Sequence, residues 1–246
     1  MDIVYMVRNG DQNEDLRYSL RSIAKNAPEF DKIHIVGYKP RWVSDDVLYY
    51  PTSQNSAVSK NRNTTMNLMA AYNIPKISDD FILMNDDFIL IRPIQDWNES
   101  LNKVKNTLEE QIKEYRKFGV YSKYAKTFED CLPLIKEISG RNVPYNYEQH
   151  FPIIINRSKF NTIFNDIRVI NYINSHDIVL KRSLYGNAAG LPFDKQSDDV
   201  KIRSGDPNEF TTDWISVFDN YIGNPRKPKL NKFLNNLFPE KCKYEK

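Results

Sequence analysis

The sequence predicts an α/β fold, in which a mostly parallel sheet is flanked by helices and followed by a more helical region. In the first half of the chain, short apolar segments alternate with segments whose apolar residues recur every three or four positions. Residues 80–84 form an almost continuous apolar run between charged residues, which is typical of a central strand buried on both faces. Because the connections are short, strands and helices are expected to alternate as in parallel sheets.

The first half supplies the elements of this sheet in a regular order. We predict strands at residues 3–7, 32–36, 47–50 and 80–84, and helices at residues 14–26 and 56–72. Within the first helix, Leu16, Leu20 and Ile23 share one face, and Pro28 lies just beyond its end. Strand–helix–strand order of this kind indicates a sheet covered by helices.

The second half has a different pattern. We predict helices at residues 101–118, 124–138, 158–164 and 175–184, and short strands at residues 151–155 and 200–202. Residues 186–207 are rich in Gly, Pro, Asp and Ser, and we predict that they form mostly loop. No linker separates the two halves, so a single domain is expected.

Composition limits the class of protein. The chain has 246 residues and a net charge of +3 at pH 7, and its length is ample for one domain with a sizeable core. No apolar stretch approaches the roughly 18 residues that a membrane helix needs. Residue 1 leads directly into a strand-like run, so we predict no signal peptide, no membrane span and a cytoplasmic protein. Cys131 and Cys242 make neither a metal site nor a disulfide framework.

Residues 225–246 form a basic end of the chain. They contain only two acidic residues among seven basic ones, which are Arg226, Lys227, Lys229, Lys232, Lys241, Lys243 and Lys246. Such a segment can bind nucleic acid, an anionic glycan or a membrane surface, or serve only as a solubilising tail. Apolar residues spaced three and four apart also predict an amphipathic helix docked on the domain; these are Leu230, Phe233, Leu234, Leu237 and Phe238.

Two adjacent carboxylates, Asp86 and Asp87, follow Asn85 at the end of the predicted central strand. Ligands of open α/β sheets bind at the carboxyl ends of the strands. Hard oxygen ligands of this kind suit Mg²⁺ or Mn²⁺, which then bridges to substrate phosphates. The alternative is an exposed acidic turn that caps a helix. Residues 88–91 are more strand-like than helical, so capping is the weaker interpretation.

A basic segment lies near the start of the second predicted helix, where Lys60, Asn61 and Arg62 follow Ser59. Positive charges at a helix N-terminus are unfavourable unless an anion binds there. Lys60 and Arg62 are therefore candidates for charge-assisted hydrogen bonds to a phosphate. The alternative is an ordinary solvated helix face.

Together these segments resemble the donor half of the GT-A glycosyltransferases, in which a basic segment on a helix precedes a metal-binding acidic motif. More specifically, residues 14–90 resemble the Stealth family of capsular polysaccharide sugar-phosphate transferases. The matching segments are residues 15–23 (Asp-Leu-Arg-Tyr-Ser-Leu-Arg-Ser-Ile), Ala27 with Pro28, residues 32–36 (Lys-Ile-His-Ile-Val), Pro40 with Trp42 and Val43, and residues 81–88 (Phe-Ile-Leu-Met-Asn-Asp-Asp-Phe). The sequence departs from the family pattern after the first strand. The family has a Trp-Val-Asp-Gly turn there, whereas this chain has residues 6–10 (Met-Val-Arg-Asn-Gly), with the basic Arg8.

The resemblance implies a GT-A-like (Rossmannoid) sheet, a nucleotide-sugar donor, and Mn²⁺ or Mg²⁺ as cofactor. The candidate donor-binding residues are Val7, Arg8, Asn9, Lys60, Asn61, Arg62, Asn85 and Asp86. The candidate metal ligands are Asp86, Asp87 and His176. For His176 we favour the alternative that it belongs to the capped start of the helix predicted at residues 175–184.

The candidate catalytic residues are His150 and Asp87. Residues 148–152 resemble the His-x-Pro block of the Stealth family, and residues 182–187 have a looser counterpart there. An imidazole can take the proton of an acceptor hydroxyl, but His150 can equally be a structural histidine in a loop. A second acidic pair, Asp198 and Asp199, is a candidate acceptor-side base, although a solvated turn is the favoured interpretation.

The combined prediction is a metal-dependent glycosyltransferase that moves a sugar from a nucleotide-sugar donor to a hydroxyl of a glycan or of a hydroxylated DNA base. Residues 1–95 are the expected donor-binding half, residues 96–224 the acceptor-side half of the same domain, and residues 225–246 a basic tail or helix. Two alternatives remain, a Stealth-type sugar-1-phosphate transferase acting on a polysaccharide and a non-catalytic nucleic-acid-binding protein. The oligomeric state is left open.

Overall fold

The computed structural model describes residues 1–10, 12–53, 59–195, 200–202, 206, 210–217 and 222–246. Its strands are β1 (Asp2–Val7), β2 (Ile33–Gly37), β3 (Leu48–Pro51), β4 (Asp80–Asn85), β5 (Phe88–Leu90), β6 (Lys103–Val104), β7 (Ile153–Asn156), β8 (Asp194–Lys195) and β9 (Trp214–Ser216). Its helices are α1 (Glu14–Asn26), α2 (Lys60–Ala71), α3 (Trp97–Ser100), α4 (Leu108–Lys117), α5 (Lys123–Ser139), α6 (Arg157–Phe164), α7 (Ile167–Ser175), α8 (Lys181–Ala188) and α9 (Pro228–Leu237).

The main sheet has the strand order β3-β2-β1-β4-β7. β1 is parallel to β2 and β4, and β2 is parallel to β3, whereas β7 runs antiparallel to β4. Met6 is aligned with Val36 on one side and with Asn85 on the other, so β1, β2 and β4 end at one edge of the sheet. The predicted α/β class, with a mostly parallel sheet flanked by helices, is therefore confirmed.

Helices cover both faces of this sheet. Val4 and Met6 of β1 belong to the core that contains residues of α2, α4 and α5, whereas Ile3, Tyr5 and Val7 pack with residues of α1. All six residues of β1 are buried, as expected for a strand covered on both faces. α1 has the predicted bounds, and its apolar face lies against the sheet.

Two helices predicted in the second half are wrong in extent. The helix predicted at residues 101–118 begins only at Leu108, because a capping box at Thr107 starts it there. Thr107 Oγ1 accepts from the Glu110 amide at 3.2 Å, and the Glu110 carboxylate accepts from the Thr107 amide at 2.8 Å. The preceding residues Lys103–Val104 pair instead with Asp194–Lys195.

Residues 175–184, predicted as one helix, contain the end of α7, a non-helical stretch and the start of α8. α7 ends at Ser175, and His176 has extended backbone angles (φ −127°, ψ 137°), which break the helical path before α8 begins. His176 therefore follows the end of a helix, and its predicted place at a capped helix start is wrong. The strand predicted at residues 200–202 is reduced to a bridge between Lys201 and Ser216. The pair at residues 198–199 and the predicted helix start at residues 56–58 lie outside the described residues.

The C-terminal segment docks on α1, which corresponds to the amphipathic-helix alternative. Leu230 and Leu234 of α9 are fully buried with Tyr18 of α1. Beyond α9, the Glu245 carboxylate accepts hydrogen bonds from Arg21 Nε at 2.6 Å and from Arg17 Nη1 at 3.0 Å. In the part of the chain that the structure describes, none of the helices is long and apolar enough to cross a membrane.

Leu234→Ala should lower the free energy of unfolding by about 2–5 kcal/mol, because it leaves a cavity in a closed core. Lys232→Ala on the exposed side of the same helix should change it by less than about 0.5 kcal/mol. Urea unfolding of both variants measures the difference. If both variants changed the free energy of unfolding by the same small amount, α9 would contribute little to stability. If Lys232→Ala, but not Leu234→Ala, weakened glycan binding, the result would support a contact between this segment and the acceptor.

Candidate active site

A polar cavity of about 470 Å³ lies at the carboxyl ends of β1 and β4. Four of the predicted donor-binding residues line this cavity, namely Arg8, Asn9, Lys60 and Asp86, and we call it the donor cavity after that prediction. The remaining lining residues are Gly10, Gln12, Asn13, Glu14, Asp15 and Ile222. Because the two strands end at the same edge, side chains far apart in sequence meet in one cavity.

The cavity is bounded by the starts of two helices. Asn13, the residue before α1, has a left-handed backbone (φ 51°), and its Nδ2 donates to the Arg8 carbonyl at 3.2 Å. This contact ties the exit of β1 to the first turn of α1. On the other side, Lys60 is the first residue of α2. Arg8 and Lys60 therefore place two positive charges beside helix N-termini, an arrangement suited to a phosphate-bearing ligand.

The other predicted donor-binding residues have different surroundings. Arg62 lies outside the cavity lining, and its Nη1 donates at 3.2 Å to the carbonyl of Ile173 in the last turn of α7. The last carbonyls of a helix lack partners within it, so this bond joins α2 to α7. Asn61 is exposed, and Val7 is fully buried in the sheet. Their donor-binding roles remain predictions.

Asp87 is buried and engaged with partners from the second half. Its Oδ2 accepts from Lys201 Nζ at 2.8 Å and from Ser216 Oγ at 2.6 Å, and the Asp87 carbonyl accepts from the Val217 amide. Burial by itself raises the pKa of the Asp87 carboxyl, but Lys201, Ser216 and His150 act in the opposite direction and hold it below its ordinary value. Asp87 is therefore ionised at neutral pH and links the acidic motif to β9.

The two adjacent aspartates thus have different environments. Asp86 lines the donor cavity, whereas Asp87 belongs to a buried ion pair. Within the described residues, no group of three or more His, Cys, Asp and Glu side chains could hold a metal ion by itself. Mg²⁺ typically uses one or two protein carboxylates together with substrate phosphates. The donor set fits a divalent ion of this kind, with Asp86 as the protein carboxylate in the cavity.

His176, the third predicted metal ligand, lies at the end of α7. Its ring stacks on Tyr172 with centroids 3.9 Å apart, and its Nδ1 lies 2.9 Å from Ser175 Oγ and 3.1 Å from the Tyr172 carbonyl. These contacts hold the ring against its own helix. Its role as a metal ligand remains a prediction.

Arg182 is a buried residue beside the acidic motif that the sequence did not single out as a site residue. Its Nη2 donates to Asn85 Oδ1 at 2.9 Å, and its guanidinium lies 5.1 Å from the centre of the Phe88 ring. Burial lowers the pKa of Arg182, while Glu148 and Asp87 act to raise it. Its Nε is buried without a hydrogen-bond partner among the described residues. A buried donor without a partner is uncommon in folded proteins.

Glu148 fixes the segment that carries His150. Its Oε1 accepts from the amides of Arg182 and Ser183, both at 3.0 Å, at the start of α8. Burial lowers the pKa of the neighbouring Lys181 to about 8, although Glu148 acts to raise it. His150 and Glu148 line a second cavity of about 370 Å³, which shares no lining residue with the donor cavity. The electrostatic interaction of His150 with Asp87, the residue after Asp86, relates the two cavities.

A tight contact between α8 and this segment fixes it further. A Cβ at Gly186 would lie 2.7 Å from the ring of Tyr147, so only glycine allows the ring to pack there. Residues 182–187 loosely resemble a segment of the Stealth family, and this was the sequence signal that could have indicated Arg182 and Gly186. For Lys201 the only sequence signal was its position after the acidic pair at residues 198–199, and no sequence pattern indicated Ser216.

Residues 9–107 match the family model described as Stealth protein CR2, conserved region 2. The predicted resemblance to the Stealth family is thus confirmed. The matched region covers less than half of the chain and includes most of the donor cavity, with Asn9, Lys60 and Asp86. Over 89 residues the chain is 32% identical to an exopolysaccharide phosphotransferase of Streptomyces coelicolor. The aligned stretch covers 33% of the chain and only 15% of that relative's length.

The chain is also similar to solved structures of two sugar transferases. The galactosyltransferase LgtC, in complex with donor and acceptor sugar analogues, has a TM-score of 0.46 and 12% identity, with 78% of this chain and 73% of that chain covered. Mouse xyloside xylosyltransferase 1 has a TM-score of 0.41 and 9% identity, with 82% and 88% covered. Similarities of this size are too small to carry an assignment of activity or substrate.

Proposed function

We propose that the chain is the catalytic part of a transferase that moves a sugar phosphate from a nucleotide-sugar donor to a glycan hydroxyl. The observation that carries the proposal is the donor cavity, in which Arg8, Lys60 and Asp86 meet at the carboxyl ends of β1 and β4. The match of residues 9–107 to a Stealth region and the similarity to an exopolysaccharide phosphotransferase support attack at phosphorus. Transfer of the sugar alone is the second candidate.

Each residue has a defined task in this reaction. Arg8 and Lys60 bind and screen the donor diphosphate, and the buried Arg182 holds the Asn85 side chain at the end of β4 by a hydrogen bond. Asp86, together with donor oxygens, would hold Mg²⁺ or Mn²⁺, which neutralises charge on the leaving phosphate. His150 takes the proton from the acceptor hydroxyl.

The two candidate reactions differ in the bonds that they form and break. In sugar-phosphate transfer, the acceptor oxygen bonds to the phosphorus next to the sugar, and the bond from that phosphorus to the bridging oxygen breaks, releasing a nucleoside monophosphate. In glycosyl transfer, the acceptor oxygen bonds to the anomeric carbon, and a nucleoside diphosphate leaves. In both, the acceptor proton passes to His150.

A glycan acceptor agrees better with the charges near His150 than DNA does. Glu114 and Glu148 line the same cavity as His150, and among the described residues of that lining Lys105 is the one lysine, with no arginine. A phosphate backbone would meet two carboxylates there, which is unfavourable. A hydroxylated DNA base as acceptor, and a purely nucleic-acid-binding role, therefore have no support from this cavity.

The nucleotide that is released tests the proposal. The protein is incubated with UDP-glucose, UDP-galactose, UDP-N-acetylglucosamine and GDP-mannose, with and without Mn²⁺, and the products are separated by chromatography. Water serves as the acceptor, so no knowledge of the glycan is needed. A nucleoside monophosphate supports sugar-phosphate transfer, and a diphosphate supports glycosyl transfer. No turnover of any donor, in a folded protein supplied with Mn²⁺, contradicts the proposal.

Lys60→Ala should weaken the binding of UDP by about tenfold or more, since a charge-assisted hydrogen bond contributes roughly 1.5–3 kcal/mol. Arg62→Ala is the matched variant from the same helical turn, and titration calorimetry measures both. If Arg62 also binds the donor, its affinity loss should equal that of Lys60→Ala. If Arg62 only joins α2 to α7, the variant should keep its UDP affinity and melt at a lower temperature. Unchanged UDP affinity in both variants would remove the basic segment from the donor site.

A further inference from the structure

A third cavity adjoins the one that contains His150. It has a volume of about 680 Å³ and is lined by residues of α4 together with Val104, Asn106, Val143 and Tyr145. Lys105 and Glu114 line both this cavity and the His150 cavity of about 370 Å³. Both volumes fall within the roughly 300–1,000 Å³ that is typical of small-molecule sites.

The two residues that both linings share form an ion pair. Lys105 Nζ lies 3.3 Å from Glu114 Oε2, and the two side chains are 36% and 40% exposed. Exposed ion pairs contribute roughly 0–1 kcal/mol, so this pair can open at small cost. The cavity wall beside this pair is fixed, because the buried side-chain nitrogen Nδ2 of Asn146 donates to Asn106 Oδ1 at 3.1 Å and to Gln111 Oε1 at 3.3 Å.

Several large apolar side chains are exposed in these two cavities. Eight large apolar side chains are prominently exposed in the described part of the chain, and four of them line these two cavities. Phe118, Val120 and Tyr124 line the His150 cavity, and Val143 lines the third cavity. Exposed apolar side chains gathered at a concave site indicate a ligand. Aromatic faces beside fixed amides suit the carbon face and the hydroxyls of a sugar ring.

The charges of the two cavities select a neutral ligand. Lys105, Lys113 and Lys117 are balanced by Glu110, Glu114 and Glu148 within the two linings. A polyanion such as nucleic acid binds where basic residues are in excess. Mixed charges with exposed aromatic side chains instead favour an uncharged chain rich in hydroxyl groups.

We propose that the third cavity is a second acceptor subsite, which holds the sugar unit adjacent to the one whose hydroxyl lies at His150. The ligand is a neutral oligosaccharide that passes between Lys105 and Glu114 as their ion pair opens. This inference rests on the proposed function, and it adds the place, beside α4, where the second sugar unit of the acceptor binds.

The test uses oligomers of glucose, galactose and N-acetylglucosamine, each from one to six units long. Binding is measured by saturation-transfer NMR and titration calorimetry. In at least one series, the affinity for a tetramer should exceed that for the monomer by about tenfold or more, which corresponds to roughly 1.4 kcal/mol. Val143→Arg places a bulky charge in the third cavity and should remove this gain, while the affinity for the monomer stays the same.

The matched control is Ile167→Arg. Ile167 is 65% exposed and Val143 is 55% exposed, but Ile167 lines neither cavity. The control should keep the full gain with chain length. A gain that survives Val143→Arg, affinities independent of length in every series, or no binding by any series would each overturn the inference. Release of nucleotide with water as acceptor is measured on the same variants, so a failure of the proposed function is recorded separately.

Discussion

Asp86→Asn should reduce nucleotide-sugar turnover by about a hundredfold or more, with at most a small change in melting temperature. The expected loss follows from the several kcal/mol that a metal-held charge contributes to a transition state, at about 1.4 kcal/mol for each factor of ten. Asp86 lines the donor cavity and is only half-buried, so the fold should tolerate the neutral isostere. Nucleotide release at several Mn²⁺ concentrations, together with thermal unfolding, measures both quantities.

The matched control for this variant is Asp79→Asn. Asp79 precedes β4 at the opposite edge of the sheet, and its side chain is 83% exposed. It should keep full turnover and the same Mn²⁺ dependence. If Asp86→Asn also kept full turnover with an unchanged Mn²⁺ requirement, Asp86 would have no part in the reaction.

Lys201→Met should lower the free energy of unfolding by about 3–5 kcal/mol, because it leaves the Asp87 carboxylate buried without its charged partner. Both side chains are largely buried, at 14% and 12% exposed, so solvent screens this pair weakly. Urea unfolding of Lys201→Met, Asp87→Asn and the double variant gives the coupling energy between the two residues. Additive effects of the two single changes would show that the pair is not coupled.

The pH dependence provides a second measure of the same pair. Because the pKa of Asp87 is lowered in the folded protein, its contribution to stability is complete above the ordinary carboxyl pKa. That contribution should be lost as the pH falls through the lower folded-state value, and the loss should be absent in Asp87→Asn. Turnover by a folded Lys201→Met variant, with none by Asp87→Asn, would support the predicted catalytic role of Asp87 beyond its structural one.

The first half of the fold was predictable because its signals are local. The buried run at residues 80–84 and the amphipathic pattern of α1 each lie within one segment, and both appear in the structure within a residue of the predicted bounds. In the second half, the start of α4 depends on a reciprocal bond between Thr107 and Glu110. The helical pattern of the sequence continues through the residues before Thr107 and does not reveal this start. Those residues include β6, which pairs with β8 about ninety residues later.

The site was predictable only as far as strand ends determine it. Parallel strands that end at one edge bring Arg8, Lys60 and Asp86 together, and the sequence order alone indicates this. The sequence order could not show that Asp86 lines the cavity whereas Asp87 belongs to a buried ion pair. The partners of Asp87 are Lys201 and Ser216, which are 114 and 129 positions away, and only the packing of β9 against β5 places them there.

The contact between α1 and the C-terminal segment has a consequence for synthesis on the ribosome. Arg21 is paired with Glu245, 224 positions later in the chain. At about 5–20 residues per second, roughly 11–45 s separate the emergence of the two side chains. During this interval the surface of α1 that later receives α9 is uncovered. The stability that this contact contributes is therefore available only after residues 228–245 have emerged.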